Sequence, residues 1–206
     1  MPPSVIFRNA PWRAGVGGTV WNGEVGIVGG HRLSFEWAPL RSIGGLGLAM
    51  DWRIIGPRTD LSGRALFKPS GRMVLDDVVG QADWSLIGAF QPRLPFRCDG
   101  VVAINLPRVA LFGGDRMIAG RMDSQPGTCA PLAGGGAVPV PALNLSTERV
   151  GANTRMTLAP AGQRRLALFD ATLEQDGEIE LRLTPAGSTA IAFIGMPAGP
   201  LRAAGL

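Results

Sequence analysis

Short runs in which apolar and polar residues alternate, most of them opening just after a glycine, constrain this chain more than any other feature. Gly18 opens Thr19-Val20-Trp21-Asn22, and Arg32-Leu33-Ser34-Phe35-Glu36-Trp37 alternates throughout. Leu48 to Ile54, Leu61 to Phe67 and Gly71 to Leu75 follow; Val101 to Asn105 is weaker, and Arg116 to Asp123 flanks Gly120. Gly177 to Leu183 is the cleanest run of all. A period of two sets Leu33, Phe35 and Trp37 on one face and Arg32, Ser34 and Glu36 on the other. Strands with one buried and one wet side are the usual antiparallel condition. Gly63, Gly80, Gly100 and Gly120 recur at intervals of 17, 20 and 20 residues, roughly the length of one hairpin. The pattern predicts an all-β fold: a curved, mostly antiparallel, meandering sheet, forming a half-barrel or partly open barrel, with at most one or two short helices.

Composition agrees where it bears on this. The 206 residues are 46% hydrophobic and only 17% charged, with 30 glycines and 17 prolines. That supports a continuous core built from short strands and tight turns, and it serves long helices poorly. One short helix is expected from Ala82 to Phe90, stopped by Pro92 and Pro95. Gly127 to Pro141, with glycines at 134–136, reads as a linker or long loop. The expected organisation is a single domain: a main sheet over 1–126, the loop over 127–141, and strands over 142–206 extending the same sheet. The last part holds only Phe169 and Phe193 as aromatics and is too small to stand alone.

A search for reactive groups returns little. The sequence pI of 10.3 rests on scattered arginines, with Lys68 the single lysine and Arg164-Arg165 the only adjacent pair. A nucleic-acid face gathers its cations into a patch or stripe, so no nucleic-acid partner is expected. His31 is the one histidine and, at the start of a strand, reads as a surface or capping side chain rather than a base. Asp76 and Asp77 would point to opposite faces of a strand. Gly15 to Gly18 and Gly44 to Gly47 lack the strand-loop-helix setting of a dinucleotide site. No catalytic, cofactor-binding or metal-binding set emerges. Cys98 and Cys129 lack C-x-x-C spacing; a bridge and two separate buried thiols both remain open on spacing alone. No segment approaches the ~20 apolar residues of a membrane span, and Met1-Pro2-Pro3-Ser4 is not a signal peptide. What remains is an aromatic set, Trp21, Phe35, Trp37, Trp52 and Trp84. It forms either ordinary core or the apolar lining of a groove for a partner or lipid.

The ordered features resemble a known family. Gly17-Gly18-Thr19-Val20-Trp21-Asn22-Gly23 is similar to a Gly-x-Thr-[Leu/Val]-Trp-x-Gly signature near the start of the periplasmic region of type II secretion system protein N. It is followed by Glu36-Trp37-Ala38-Pro39-Leu40, Leu61-Ser62-Gly63-Arg64-Ala65, Val79-Gly80-Gln81-Ala82-Asp83-Trp84, and Gly127-Thr128-Cys129 with an upstream Cys98. The resemblance runs in order from about residue 10 to 130 and more loosely beyond. It implies a non-catalytic accessory component of the secretion machine, in the periplasm, held at the inner membrane through an N-terminal segment outside this chain. Other secretion components are the implied partners. A more distant likeness to AsmA-like envelope proteins implies, as an alternative, a groove for phospholipid or another envelope lipid. The oxidising periplasm implies a Cys98–Cys129 disulfide.

Overall fold

The computed structural model describes residues 13–91, 94–111, 116–194 and 199–203. The chain start and Pro92, on which two of the expectations above fall, lie outside them. Strands β1 (Arg13–Gly18), β2 (Asn22–Ile27) and β3 (His31–Trp37) precede helix α1 (Pro39–Gly45). Next come β4 (Leu48–Gly56), β5 (Thr59–Phe67) and β6 (Met73–Asp83), then helix α2 (Trp84–Phe90). Strands β7 (Phe96–Asp99), β8 (Val101–Leu111), β9 (Met117–Ser124), β10 (Gly127–Pro131) and β11 (Val138–Val140) follow. The chain continues through β12 (Leu143–Val150), β13 (Asn153–Pro160), β14 (Phe169–Leu173) and β15 (Ile179–Leu183). It closes with helix α3 (Pro185–Ala190), a 3-10 turn (Ala192–Ile194) and β16 (Gly199–Ala203).

Thirteen strands form one sheet in the order β1-β2-β3-β4-β5-β6-β8-β9-β12-β13-β14-β15-β16, and β11-β10-β7 form a small second sheet. Every pairing is antiparallel. The meander follows from the hairpin spacing: each apolar run pairs with the next in the register that keeps its apolar parity on one side. Ile27, Leu33, Ile54, Leu61, Val78, Ile104, Met122, Leu145, Leu158, Phe169 and Leu183 accordingly share one face. The opposite face carries ion pairs, among them Arg53–Asp60, Arg64–Asp77 and Arg108–Asp76.

Register shifts between Ser62 and Arg64 and between Asn105 and Arg108 mark two bulges. Gly80 and Gly120 have φ of 135° and 132°. A Cβ there would stand 2.1 Å from Asp60 O and 2.2 Å from Asn105 O. The glycine spacing noted in the sequence therefore includes two sites where neighbouring backbones approach too closely for any side chain.

Two cores lie on the apolar face. One, under α2, gathers Ile27, Ile54, Leu61, Val78, Ala82, Leu86, Leu106 and Val109. The other, under the small sheet, gathers Cys129, Val140, Leu168, Leu183, Ile191 and Phe193.

The half-barrel or partly open barrel is not what forms. The large sheet is open, its ends β1 and β16 are not paired with each other, and it is not strongly curled. The period-two pattern specifies pairing and parity; it carries no information on closure, which depends on stagger and strand tilt. Three short helices and the 3-10 turn also exceed the one or two expected. Thr19 to Trp21, read as strand, is the turn of the β1–β2 hairpin, where Thr19 Oγ1 accepts from the N–H of Trp21 and Asn22 at 3.3 and 3.2 Å. The stretch 127–141, read as loop, carries β10 and β11.

Candidate functional site

The apolar face is roofed in its second half, and the roof does not fill the space beneath it. Val102, Met122, Leu145, Leu158 and Phe169, from five neighbouring strands, make the floor of a cavity of about 280 Å³. Trp84 and Ile87 of α2, Cys98 and Cys129 of the small sheet, and Ile191 and Phe193 close it from above. Trp84, Phe96 and Phe193 form an edge-to-face chain, with ring centroids 6.4 and 5.0 Å apart. The polar groups on the wall, Asp99, Ser124 and Gln125, are few. Such a space takes an apolar group and offers nothing with which to activate a bond.

Cys98 and Cys129 face each other across β7 and β10 and are joined by a disulfide. The bridge fastens the middle of the roof.

His31 is buried, not exposed: 3% of its surface remains accessible. Its Nε2 lies 2.8 Å from Ser85 Oγ, and Ser85 Oγ in turn donates to Asp83 Oδ1. With the Ser85 proton committed to Asp83, the network assigns the His31 Nε2–H as donor to Ser85. Nδ1 is then a buried acceptor with no hydrogen-bond partner among the described residues. A ring that donates to the hydroxyl cannot take its proton, so the trio is no nucleophile-base pair. Its work is local. Asp83 caps α2, accepting from the N–H of Ser85 and Leu86 at 2.9 and 3.3 Å. Burial pushes the Asp83 carboxyl up, but the Ser85 hydroxyl and the two backbone N–H groups outweigh it and hold it below its usual value. Gly56 is where the ring fits, since a Cβ there would come 1.9 Å from His31 Nδ1.

The five aromatics do not converge. Phe35 is buried, Trp52 packs against the first core, and Trp84 lines the cavity. Trp21 and Trp37 stand exposed at the opposite end of the sheet, their rings 4.6 Å apart. The cavity residues that the sequence reading passed over, Leu145, Leu158 and Phe193, lie in the C-terminal part. Parity carried across successive hairpins would have found the first two; Phe193, in the 3-10 turn, has no periodic signal. Glu174, Asp176 and Glu178 bring their carboxylates within 4.8 Å of one another. They occupy the β14–β15 turn, where Asp176 accepts from the Glu178 N–H, as a solvated turn does. No helix among the described residues is long and apolar enough to cross a membrane.

A long open sheet, its apolar face partly roofed and His31, Asp83 and Ser85 occupied in capping a helix, is the architecture of a binding or scaffolding domain. A family model for protein N of the type II secretion system (T2SS) matches residues 10–197, and the chain belongs to that family. No significant match was found among curated proteins or solved structures. Family membership makes the protein an accessory, non-catalytic, periplasmic component of the T2SS that works with other components of that machine.

Proposed function

We propose that the chain acts as one periplasmic scaffold domain to which another secretion component attaches by adding a strand to the open edge at β1. The observation that carries this is the unguarded chemistry of that edge. No described strand pairs with the outer side of β1, and its last five residues are Ala14-Gly15-Val16-Gly17-Gly18, with no charge and no proline. Sheet edges left to solvent are ordinarily blunted by such residues, and an edge without them is suited to β-augmentation. A Cβ at Gly15 or Gly17 would meet nothing within 4 Å, so lysines placed there guard the edge without disturbing the fold. The test is capture of purified T2SS components by the domain. Gly15→Lys with Gly17→Lys should weaken capture at least tenfold at unchanged melting temperature; undiminished capture overturns the reading.

A second reading, a lipid groove of AsmA-like type acting between the two membranes, is favoured by the cavity. Its floor comes from successive strands and its roof includes Trp84. At about 280 Å³ it falls just below the ~300–1,000 Å³ of small-molecule sites, so it suits a single acyl chain rather than a whole diacyl lipid. Mass spectrometry of solvent-extracted, natively purified domain decides: stoichiometric lipid supports this reading, and its absence removes it.

A further inference from the structure

The end of the sheet remote from the cavity carries apolar side chains that no described residue covers. No residue of α1 is buried, and Leu40, Ile43 and Leu46 are 85%, 75% and 80% exposed. This is not a loose loop. Trp37 Nε1 donates to Ser42 Oγ at 2.9 Å, Ser42 Oγ bonds Ala38 O and the Ala49 N–H, each at 2.9 Å, and the Trp37 N–H donates to Trp21 O at 2.7 Å. The structure spends hydrogen bonds to hold three aliphatic side chains out in solvent above a tilted tryptophan pair. Leu46 even takes φ of 50° to do so, a conformation unfavourable for a leucine.

We propose that this end of the sheet docks on the surface of an anionic phospholipid bilayer, with Leu40, Ile43 and Leu46 below the headgroups and Trp21 and Trp37 at their level. Separate knobs on a protruding turn match a fluid apolar medium, whereas a protein partner would meet a patch with a packed centre. Tryptophan is the side chain that settles at the boundary between hydrocarbon and water. The turns themselves are basic, while Glu36 and Asp51 stand opposite each other on the neighbouring strands β3 and β4. The turns 18–22, 38–47 and 68–72 hold Arg41, Lys68 and Arg72 and no acidic residue; Arg41 is paired with Asp51 of β4. Basic groups flanking an apolar tip complement anionic headgroups. The inference rests on the periplasmic placement of the family and is independent of the edge-strand reading.

The experiment is co-sedimentation of the domain with vesicles of phosphatidylglycerol and phosphatidylethanolamine, and with vesicles of phosphatidylcholine alone. The wild-type domain should partition onto the anionic vesicles, with a blue shift of tryptophan emission. Leu40→Asp with Ile43→Asp should lower the partition coefficient at least tenfold at unchanged melting temperature, because both sites are exposed. Lys68→Glu should weaken binding several-fold on anionic vesicles, and Gly15→Lys with Gly17→Lys should leave it undiminished. Absence of wild-type binding, or binding that Leu40→Asp with Ile43→Asp leaves intact, overturns the proposal. Self-association of the wild type that this variant abolishes, with no protein on vesicles, would assign the surface to a second copy instead and overturn it equally.

Discussion

At Trp52 the first core contains a polar atom without a use. Its Nε1 is buried with no hydrogen-bond partner among the described residues, and its ring lies so close over Gly63 that a Cβ there would stand 2.7 Å from Cζ2. An unpaired buried donor costs about 1–3 kcal/mol, comparable to the packing that the second indole ring supplies. Trp52→Phe should therefore leave stability within about 1 kcal/mol of wild type in urea unfolding, while Trp52→Ala costs about 3–5 kcal/mol; a large loss in the phenylalanine variant would mean the indole N–H is bonded. Asp83 gives the acid response. Its carboxyl is held below its ordinary value in the fold, so its contribution is complete above the unfolded value of about 3.9. The contribution is lost as the pH falls from there through the folded value. Asp83→Asn should flatten that part of the acid limb in urea midpoints measured between pH 2 and 7, at a cost of about 1 kcal/mol at neutral pH from the weakened Ser85 bond. What sequence disclosed here was uneven. A helix was expected from Ala82 to Phe90, but Asp83 was read inside it rather than as the cap that precedes Trp84. The burial of His31 was invisible, because it depends on Gly56, 25 residues further along the chain, leaving room for the ring.

Among the elements, the small sheet is the piece most dependent on one covalent bond. Strands β7, β10 and β11 have 4, 5 and 3 residues, too few for independent stability, and the Cys98–Cys129 bridge closes a separation of 31 residues. The chain-entropy estimate for such a loop is about 3–4 kcal/mol. Cys98→Ser with Cys129→Ser should cost about that much in denaturant unfolding. Because the two cores have no buried residue in common, the loss should be local. Hydrogen exchange is expected to show β7, β10 and β11 opening while β3 to β6 keep their protection. Uniform loss of protection would show that the roof and sheet unfold as one. The pairing was legible only through the family resemblance, and the strands themselves were not. Gly127-Thr128-Cys129-Ala130-Pro131 and Val138-Pro139-Val140 look like loop because glycine and proline fill them. Gly127 and Pro131 are the first and last residues of the middle strand β10, and Pro139 lies on the edge strand β11, the positions where a short sheet tolerates both. Helix α1 was hidden for a related reason: Gly44, Gly45 and Gly47 mask a turn whose apolar residues face solvent and so follow no burial period.

For the whole molecule the consequence is one of shape. Open sheets of more than about ten twisted strands tend to curl, split or flatten, and this one has thirteen. Bulges at Asp77 and between Asn105 and Arg108 interrupt the ladder, and the small sheet with α2 covers one face. Hairpin order was readable from the sequence because it is set locally, by parity and turn length. Openness was not, because the difference between an open and a rolled sheet lies in contacts between β1 and β16, at opposite ends of the chain. At a spacing of about 4.8 Å per strand the large sheet is about 55–60 Å wide, whereas the same strands rolled into a barrel would span at most about 45 Å. Small-angle scattering of the monomer should give a longest dimension of about 60 Å or more. A value near 45 Å would return the rolled form, in which the β1 edge would no longer stand clear. Openness thus matters to the edge-strand proposal alone: a closed barrel would have no β1 edge to extend, whereas α1, in the connection between β3 and β4, would still project from its rim.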